Sequence, residues 1–471
     1  MVERINSFPD FSGSFNDARI GKRANQALHQ LLRGRNSSIR QVSEHRAEQK
    51  GFYRLLHNEN FSEEKIEASI VNRCNDLCAG RRVLCLTDTT EFNLESHRGR
   101  IKNGSGVGKT TKDGILGYML HGCFVVDAER STALGYSSID IWHRPDDMPN
   151  DDSRQYQSRP IEEKESYKWI KATEQSRQVL SQASQITIVA DREADIYDLF
   201  GRYTGTGLHL LIRSKSDRRI NENKEKLTAY LLRQPEQHVH SIEVKGDIRK
   251  GIEKRKAELS LKWTTVELRK PNSCHDKDLA DKVPVTVVEA KEKGKTNGIY
   301  WRLYTTHRVN SADEAVQIIE WYKQRWYIEQ LFRLLKLQCF QIESSQLETG
   351  WAVRKLTMLA LLAALRIIQM MLAYEDDNEQ PIEEVFTKDE QLCLEQTNKS
   401  LEGETEKLSN PHKRQTLKWA TWIIARLGGW KGYASQRKPG PVVLHRGFIK
   451  FYQLYQGWLI AQRFFKDVGT Q

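Results

Sequence analysis

Two short apolar runs in this chain each end on an aspartate: VLCLTD stops at Asp88 and ITIVAD at Asp191. A carboxylate at the open end of a rigid strand is well placed to hold a cation. Taken singly, such an acid is more often a turn residue or a helix cap. As a pair the two supply hard oxygen donors, and Mg2+ needs only one or two carboxylates beside substrate phosphate. A third carboxylate, Glu329, comes with neighbours. Tyr322, Arg325, Glu329 and Lys336 stand at offsets 0, 3, 7 and 14. On a helix of 3.6 residues per turn they share an arc of roughly 60°. Such a face offers a metal-binding carboxylate next to two cations that can clamp a phosphate. The plainer reading is an Arg325–Glu329 ion pair on a solvated face. The other acids of DREADIYD, namely Glu193, Asp195 and Asp198, fall in a turn and a helix start, where they would cap the helix or support basic neighbours.

Positioning these groups takes an α/β framework. RVLCLTDTT (82–90), ILGYMLHGCFVVD (115–127) and STALGYSSIDIWHR (131–144) read as successive strands, a charged helix follows over 161–183, and then comes the strand ITIVAD. That order predicts a mixed sheet. A basic stretch from 213 leads into the alternating runs HSIEVKG, AELSLKWTTVEL and VPVTVVEA, which predict an antiparallel β insertion. SADEAVQIIEWYKQRWYIEQLFRLLKLQ (311–338) reads as one long helix opened by a capping box of Ser311 and Glu314. Upstream, NDARIGKRANQALHQLLRG predicts a helix capped by Asn16 or Asp17. Arg19, Lys22 and Arg23 form its basic face, and Ile20, Ala24, Leu28, Leu31 and Leu32 its apolar one. A basic face suits a DNA groove, though a solvated surface is its commoner role. A polar linker is expected near 376–413, then C-terminal helices with a Gly pair ending WATWIIARLGG.

The 471 residues exceed one ordinary core, so two or three domains are expected. With 73 Lys+Arg against 62 Asp+Glu, the net charge of +11 favours a polyanionic partner. The N-terminus lacks the apolar core of a secretory signal. The run 356–372 is interrupted by Arg366 and Gln369 and reads as a buried helix. Seven cysteines, with Cys74 and Cys78 four apart on a helical stretch, point to thiols in a reducing cytoplasm and not to zinc. GSGVGKTT (104–111) is one residue short of the phosphate-loop pattern and follows a polar run, so it reads as a flexible basic loop. RPDDMPNDD (144–152) reads as a solvated acidic turn.

TDTT at Asp88, DREAD at Asp191 and Y-x2-R-x3-E-x6-K from Tyr322 to Lys336 together resemble the DDE transposases of bacterial insertion sequences. The closest likeness is to the branch marked by a Tyr-Arg-Glu-Lys signature. The acids are 103 and 138 residues apart, which leaves room for the insertion. The resemblance implies a ribonuclease-H-like catalytic core with helical N- and C-terminal domains. Its divisions would be 1–72 for DNA binding, 73–374 for catalysis with the insertion at about 215–306, and 375–471 for dimerisation. It implies that Asp88, Asp191 and Glu329 hold two divalent ions, Mg2+ or Mn2+. Cleavage at transposon ends, a hairpin intermediate and strand transfer into target DNA would follow. Tyr322, Arg325 and Lys336 match positions that hold the phosphate of a flipped base, and Trp301 matches the aromatic that stacks on it. Arg213 and Lys215 match a stretch near DNA, and Arg19, Lys22 and Arg23 fall where an end-recognition helix would be. The partners implied are end DNA, target DNA and a second copy of the chain, with no membrane. The segment 433–448 departs from the family's pattern. The competing expectations are a catalytically inactive, transposase-derived DNA-binding inhibitor and a sequence-indifferent metal nuclease.

Overall fold

The structure is a computed structural model describing residues 10–102, 104–111, 114–144, 158–244, 254–375, 379–403, 409–433 and 436–468. Residues 1–9, read above for a secretory signal, and the acidic turn beyond Arg144 lie outside the described residues. The chain forms two compact units, one of residues 80–88 and 149–326, the other of residues 1–79, 89–148 and 327–471.

The first of these is built on a mixed sheet. Its parallel part comprises β1 (Arg82–Asn93, entering through Asp88), β5 (Gln185–Ala190) and β6 (Leu208–Arg213). These strands are almost wholly apolar where paired, as strands covered on both faces must be. The sheet continues antiparallel through β12 (Tyr300–Thr305), β11 (Lys282–Glu292) and β10 (Arg255–Arg269). β9 (His238–Val244) and the short β7 (Arg219–Ile220) both pair with β10, and β7 also pairs with β8 (Glu225–Lys226). The three alternating runs of the expected insertion are thus β9, β10 and β11, and they alternate buried with exposed along β10 as one covered face requires. Helices α5 (Tyr167–Val179), α6 (Tyr197–Tyr203), α7 (Leu227–Leu232) and α8 (Ala312–Gln324) complete the unit.

In the other unit four helices come first: α1 (Ala18–Arg33), α2 (Ile39–Val42), α3 (Arg46–Leu56) and α4 (Glu63–Cys78). Asp17 is the cap of α1, accepting the Arg19 N–H, and all five expected apolar residues are buried. Strands β2 (Gly108–Lys109), β3 (Leu116–Asp127) and β4 (Ala133–Trp142) follow as an antiparallel set. The run 356–372 lies within α10 (Gly350–Glu375). Among the described residues this helix is long and apolar enough to cross a membrane, yet its apolar window is entirely buried inside the protein. It docks on the hairpin of β3 and β4. Tyr118 Oη lies 2.6 Å from Thr357 Oγ1, Tyr136 Oη donates to the Leu361 carbonyl at 2.8 Å, and Gln369 donates to the Ala133 carbonyl at 2.9 Å. Each fully buried Leu of α10 contributes about 1.5–3 kcal/mol through its burial.

Three expectations are corrected. The single helix over 311–338 is three segments: α8, α9 (Trp326–Arg333) and a π-helical turn, Leu334–Gln338. Its opening is a partial box, since Ser311 accepts the Glu314 N–H while Glu314 accepts from Asn310. The polar linker holds a helix, α11 (Lys388–Leu401), opened by a complete Thr387–Glu390 capping box. Glu390 is polar in sequence but buried, because it neutralises Arg366 of α10; the two are 3.2 Å apart. The Gly pair does end α12 (Leu417–Leu427), with Gly428 at the C-cap and Gly429 at φ 94°. A Cβ at Gly428 or Gly447 would run into Val443 or Ile424 backbone, so the two glycines let α12 and α13 (Pro441–Val468) touch.

Candidate active site and nucleic-acid interface

Asp88 and Asp191 occupy equivalent places on neighbouring parallel strands. The last residues that β1 and β5 pair with each other are Leu86 and Val189, and each aspartate lies two residues beyond. Both side chains are part-exposed at the same end of this parallel ladder. Asp191 Oδ1 accepts the Glu193 N–H at 2.9 Å, which starts the tight turn Arg192–Ala194 and fixes the carboxylate. Asp88 Oδ2 accepts from Arg325 Nη1 at 3.0 Å. The side chains of that pair are 17% and 21% exposed, so water screens it only in part.

Arg325 is the C-cap of α8, one turn beyond Tyr322. Tyr322 is buried and meets Trp301 of β12 edge to face, with ring centroids 5.7 Å apart. Burial pushes the Tyr322 hydroxyl up; Arg325 and Arg213 pull it down, and Asp191 adds to the upward push. The unit thus gathers Asp88, Asp191, Tyr322, Arg325, Trp301 and Arg213 into one neighbourhood. Arg213 ends β6 and donates to the Tyr300 carbonyl at 3.2 Å. Lys215 is exposed in the turn that follows.

Glu329 and Lys336 belong to the other unit. Glu329 is half-buried in the first turn of α9. Lys336 sits in the π-helical turn, 3.4 Å from Thr90 Oγ1 and 3.6 Å from Glu343, with its ammonium over the Phe92 ring. Lys336 is therefore not on the regular α-helix that the offsets assumed. A π turn has more residues per revolution, so Lys336 leaves the 3.6-residue phase. Tyr322 turns inward onto Trp301, and Arg325 reaches Asp88. In the same unit Arg19 is exposed and paired with Asp17, Lys22 is exposed, and the Arg23 guanidinium lies against Gly51 of α3. Among the described residues the Gly-rich loop gives a two-residue strand, β2, and no phosphate-loop helix.

Two groups escaped the sequence reading. His121 Nδ1 lies 2.8 Å from Thr89 Oγ1, the residue after Asp88, and nothing in its strand pattern marks it. Arg218 ties itself to Asp195 at 2.6 Å. It stands in the same basic run as Arg213 and Lys215, which was the available signal.

Only Asp191 follows the end of its strand; Asp88 lies within β1, which runs on to Asn93, yet both offer hard carboxylate oxygens on a rigid backbone and fit a divalent ion by donor chemistry. Among the described residues no group of three or more His, Cys, Asp or Glu is gathered as a metal cage.

Comparison with known families gives two matches. Residues 168–366 match the family model of the transposase DDE domain. Residues 12–61 match that of the transposase DNA-binding region. The first match spans Asp191, Trp301, Tyr322, Arg325, Glu329 and Lys336, while Asp88 precedes it; the second spans Arg19, Lys22 and Arg23. The chain thus joins a transposase DNA-binding region to a ribonuclease-H-like transposase DDE domain.

Proposed function

We propose that the protein performs cut-and-paste transposition, cleaving DNA at transposon ends through a hairpin intermediate and joining the freed ends to target DNA. The carrying observation is the pair Asp88 and Asp191 at matched positions just beyond the parallel pairing of β1 with β5, with Arg325 on Asp88, in a chain bearing a DDE domain.

In this reading Asp88, Asp191 and Glu329 hold two Mg2+ ions, for which Mn2+ can substitute. When bound, the ions supply Lewis acidity for in-line attack on a phosphodiester by water or a DNA 3′-hydroxyl. The protein's own groups do the rest. Arg325 exchanges Asp88 for a DNA phosphate, and Lys336 supplies a second cation for the same strand. Trp301, braced edge-on by Tyr322, offers a ring face to a base turned out of the duplex. Arg213 and Lys215 contact the backbone, and Arg19, Lys22 and Arg23 read the transposon end. The working division is 1–72 for end binding, 73–374 for catalysis with an insertion at about 215–306, and 375–471 for a homodimer contact. Action on the nucleoid in a bacterial cytoplasm fits the basic charge.

The test is cleavage of labelled end DNA with Mg2+ by the full chain. Wild type is expected to nick and then form hairpin ends; Asp191→Ala is expected to bind but not cut. Cutting that survives this substitution overturns the metal assignment. Binding without Mg2+-dependent cutting by wild type would point to a DNA-binding inhibitor. Equal cutting of random duplex would point to a nuclease.

A further inference from the structure

Asp195 stands four residues after Asp191, and its side chain is fully buried. A buried carboxylate needs partners, and all those in view come from one place. Oδ2 accepts the Lys215 backbone N–H at 2.7 Å. Oδ1 accepts from Arg218 Nε at 2.9 Å and Nη2 at 2.6 Å, and Nη2 also reaches the Asp195 carbonyl at 2.6 Å. The turn after β6 is thereby clamped at two points onto the turn that begins with Asp191.

The rest of that turn is fixed from the opposite side. Asp217 accepts the Thr228 N–H at 2.8 Å and lies 3.7 Å from Arg302. The Arg218 carbonyl accepts from the Leu227 N–H at 3.0 Å, and the Asp217 carbonyl accepts from Lys226 Nζ at 2.8 Å. Asp217 and Arg218 are thus tied to other groups, while Lys215, Ser216 and Arg219 are left exposed at the crest. The turn's one acid points toward α7, so the crest faces solvent with its cations.

We propose that Asp195 is a positioning residue: it holds the basic turn 213–219 in the one register that sets Lys215 at a fixed distance from Asp191. The inference rests on the transposase reading above, in which Asp191 serves the scissile phosphate and Lys215 the backbone beside it. A single carboxylate would then couple the catalytic turn to the DNA-gripping turn. Without it the Lys215 charge remains on the protein but samples many positions, and an untethered cation gains little from a fixed phosphate.

The experiment is a double-mutant cycle in the full-length chain, with folding checked by circular dichroism and thermal midpoint. Lys215→Ala is made in wild type, in Asp195→Asn and in Arg218→Lys. Asn keeps the shape of Asp195 but sets an N–H2 against a donor; Lys keeps the charge of Arg218 but loses its fork. Binding to a duplex carrying the terminal repeat is measured against salt, and the cleavage rate with Mg2+ is measured alongside. In wild type, Lys215→Ala is expected to lower the slope of log K against log salt by about 0.9, one phosphate's worth. In either second background it is expected to change the slope by less than half as much. Cleavage in Asp195→Asn should fall about tenfold while the number of ends bound is unchanged.

Equal effects of Lys215→Ala in all three backgrounds would overturn the proposal, since a merely structural Asp195 leaves them independent. Failure of both second-site variants to fold would also count against it, because the contact would then serve the fold alone. No effect of Lys215→Ala in wild type sinks the proposal but leaves Asp191-dependent cleavage standing. A coupled binding cycle in a protein whose cutting ignores Asp191 would sink the transposase reading instead.

Discussion

Replacing Arg325 should make the protein bind metal better and cut DNA worse. In the free protein Arg325 Nη1 is 3.0 Å from Asp88 Oδ2, with the side chains 17% and 21% exposed. Two unit charges about 4 Å apart at an effective dielectric near 20 attract by roughly 4 kcal/mol. After desolvation and lost water contacts, a hydrogen bond between charged groups is worth about 1.5–3 kcal/mol net. That energy has to be given up before Asp88 can face a metal ion. Arg325→Ala removes the competitor, so Mn2+ affinity in the absence of DNA should rise about 10- to 100-fold, at about 1.4 kcal/mol per decade. Arg325→Lys should gain less, because the charge remains. The assay is Mn2+ titration followed by electron paramagnetic resonance, with Asp88→Asn in the Arg325→Ala background as the control that abolishes the gain. Cleavage of end DNA should fall in parallel, as the phosphate partner is lost. Metal affinity that stays constant or weakens in Arg325→Ala would refute the idea that guanidinium and metal contend for one carboxylate.

Other expectations follow from the packing. Arg366 is 1% exposed, encircled by Phe386, Phe448 and Tyr452, and neutralised by Glu390. Glu390→Gln should cost about 3–5 kcal/mol in urea unfolding, and joining it to Arg366→Met should restore part of that loss. Trp301→Ala should slow hairpin formation more than the first nick; equal losses would make Trp301 a packing residue. Gly106 has φ 93°, and a Cβ there would come within 2.5 Å of Trp351, so Gly106→Ala should lower the thermal midpoint. Burial pushes the His307 imidazole down to about 3, helped by His209, with which it stacks at 3.8 Å. The unfolded chain then binds more protons, so stability is complete above the ordinary value of 6.5 and falls as pH drops toward 3. The urea midpoint should decline across that window, less steeply in His307→Gln.

Strands, caps and the buried helix could be read from the chain because each rests on local physics. The short apolar runs leading to Asp88 and Asp191 have the length of buried strands, and α1 turns inward the five apolar residues its period selects. What could not be read depends on partners distant in sequence. Arg325 finds Asp88 across 237 residues, and no offset along a helix foretells that contact. Lys336 left its expected phase because the backbone widened into a π turn, which residue identities between 334 and 338 do not announce. Glu390 looked like a linker acid since its reason for burial, Arg366, sits 24 positions away on another helix. Asp195 was legible as a scaffold residue, but its hold on Lys215 and Arg218 was not.

The central claim is that Asp191 serves metal-dependent DNA cleavage. It is tested most directly by comparing wild type with Asp191→Asn on duplex carrying the terminal repeat, measuring binding and Mg2+-dependent cutting in the same samples. The account predicts equal binding with cutting reduced by a thousandfold or more, on the order of 4 kcal/mol of transition-state stabilisation. Undiminished cutting by Asp191→Asn would contradict it.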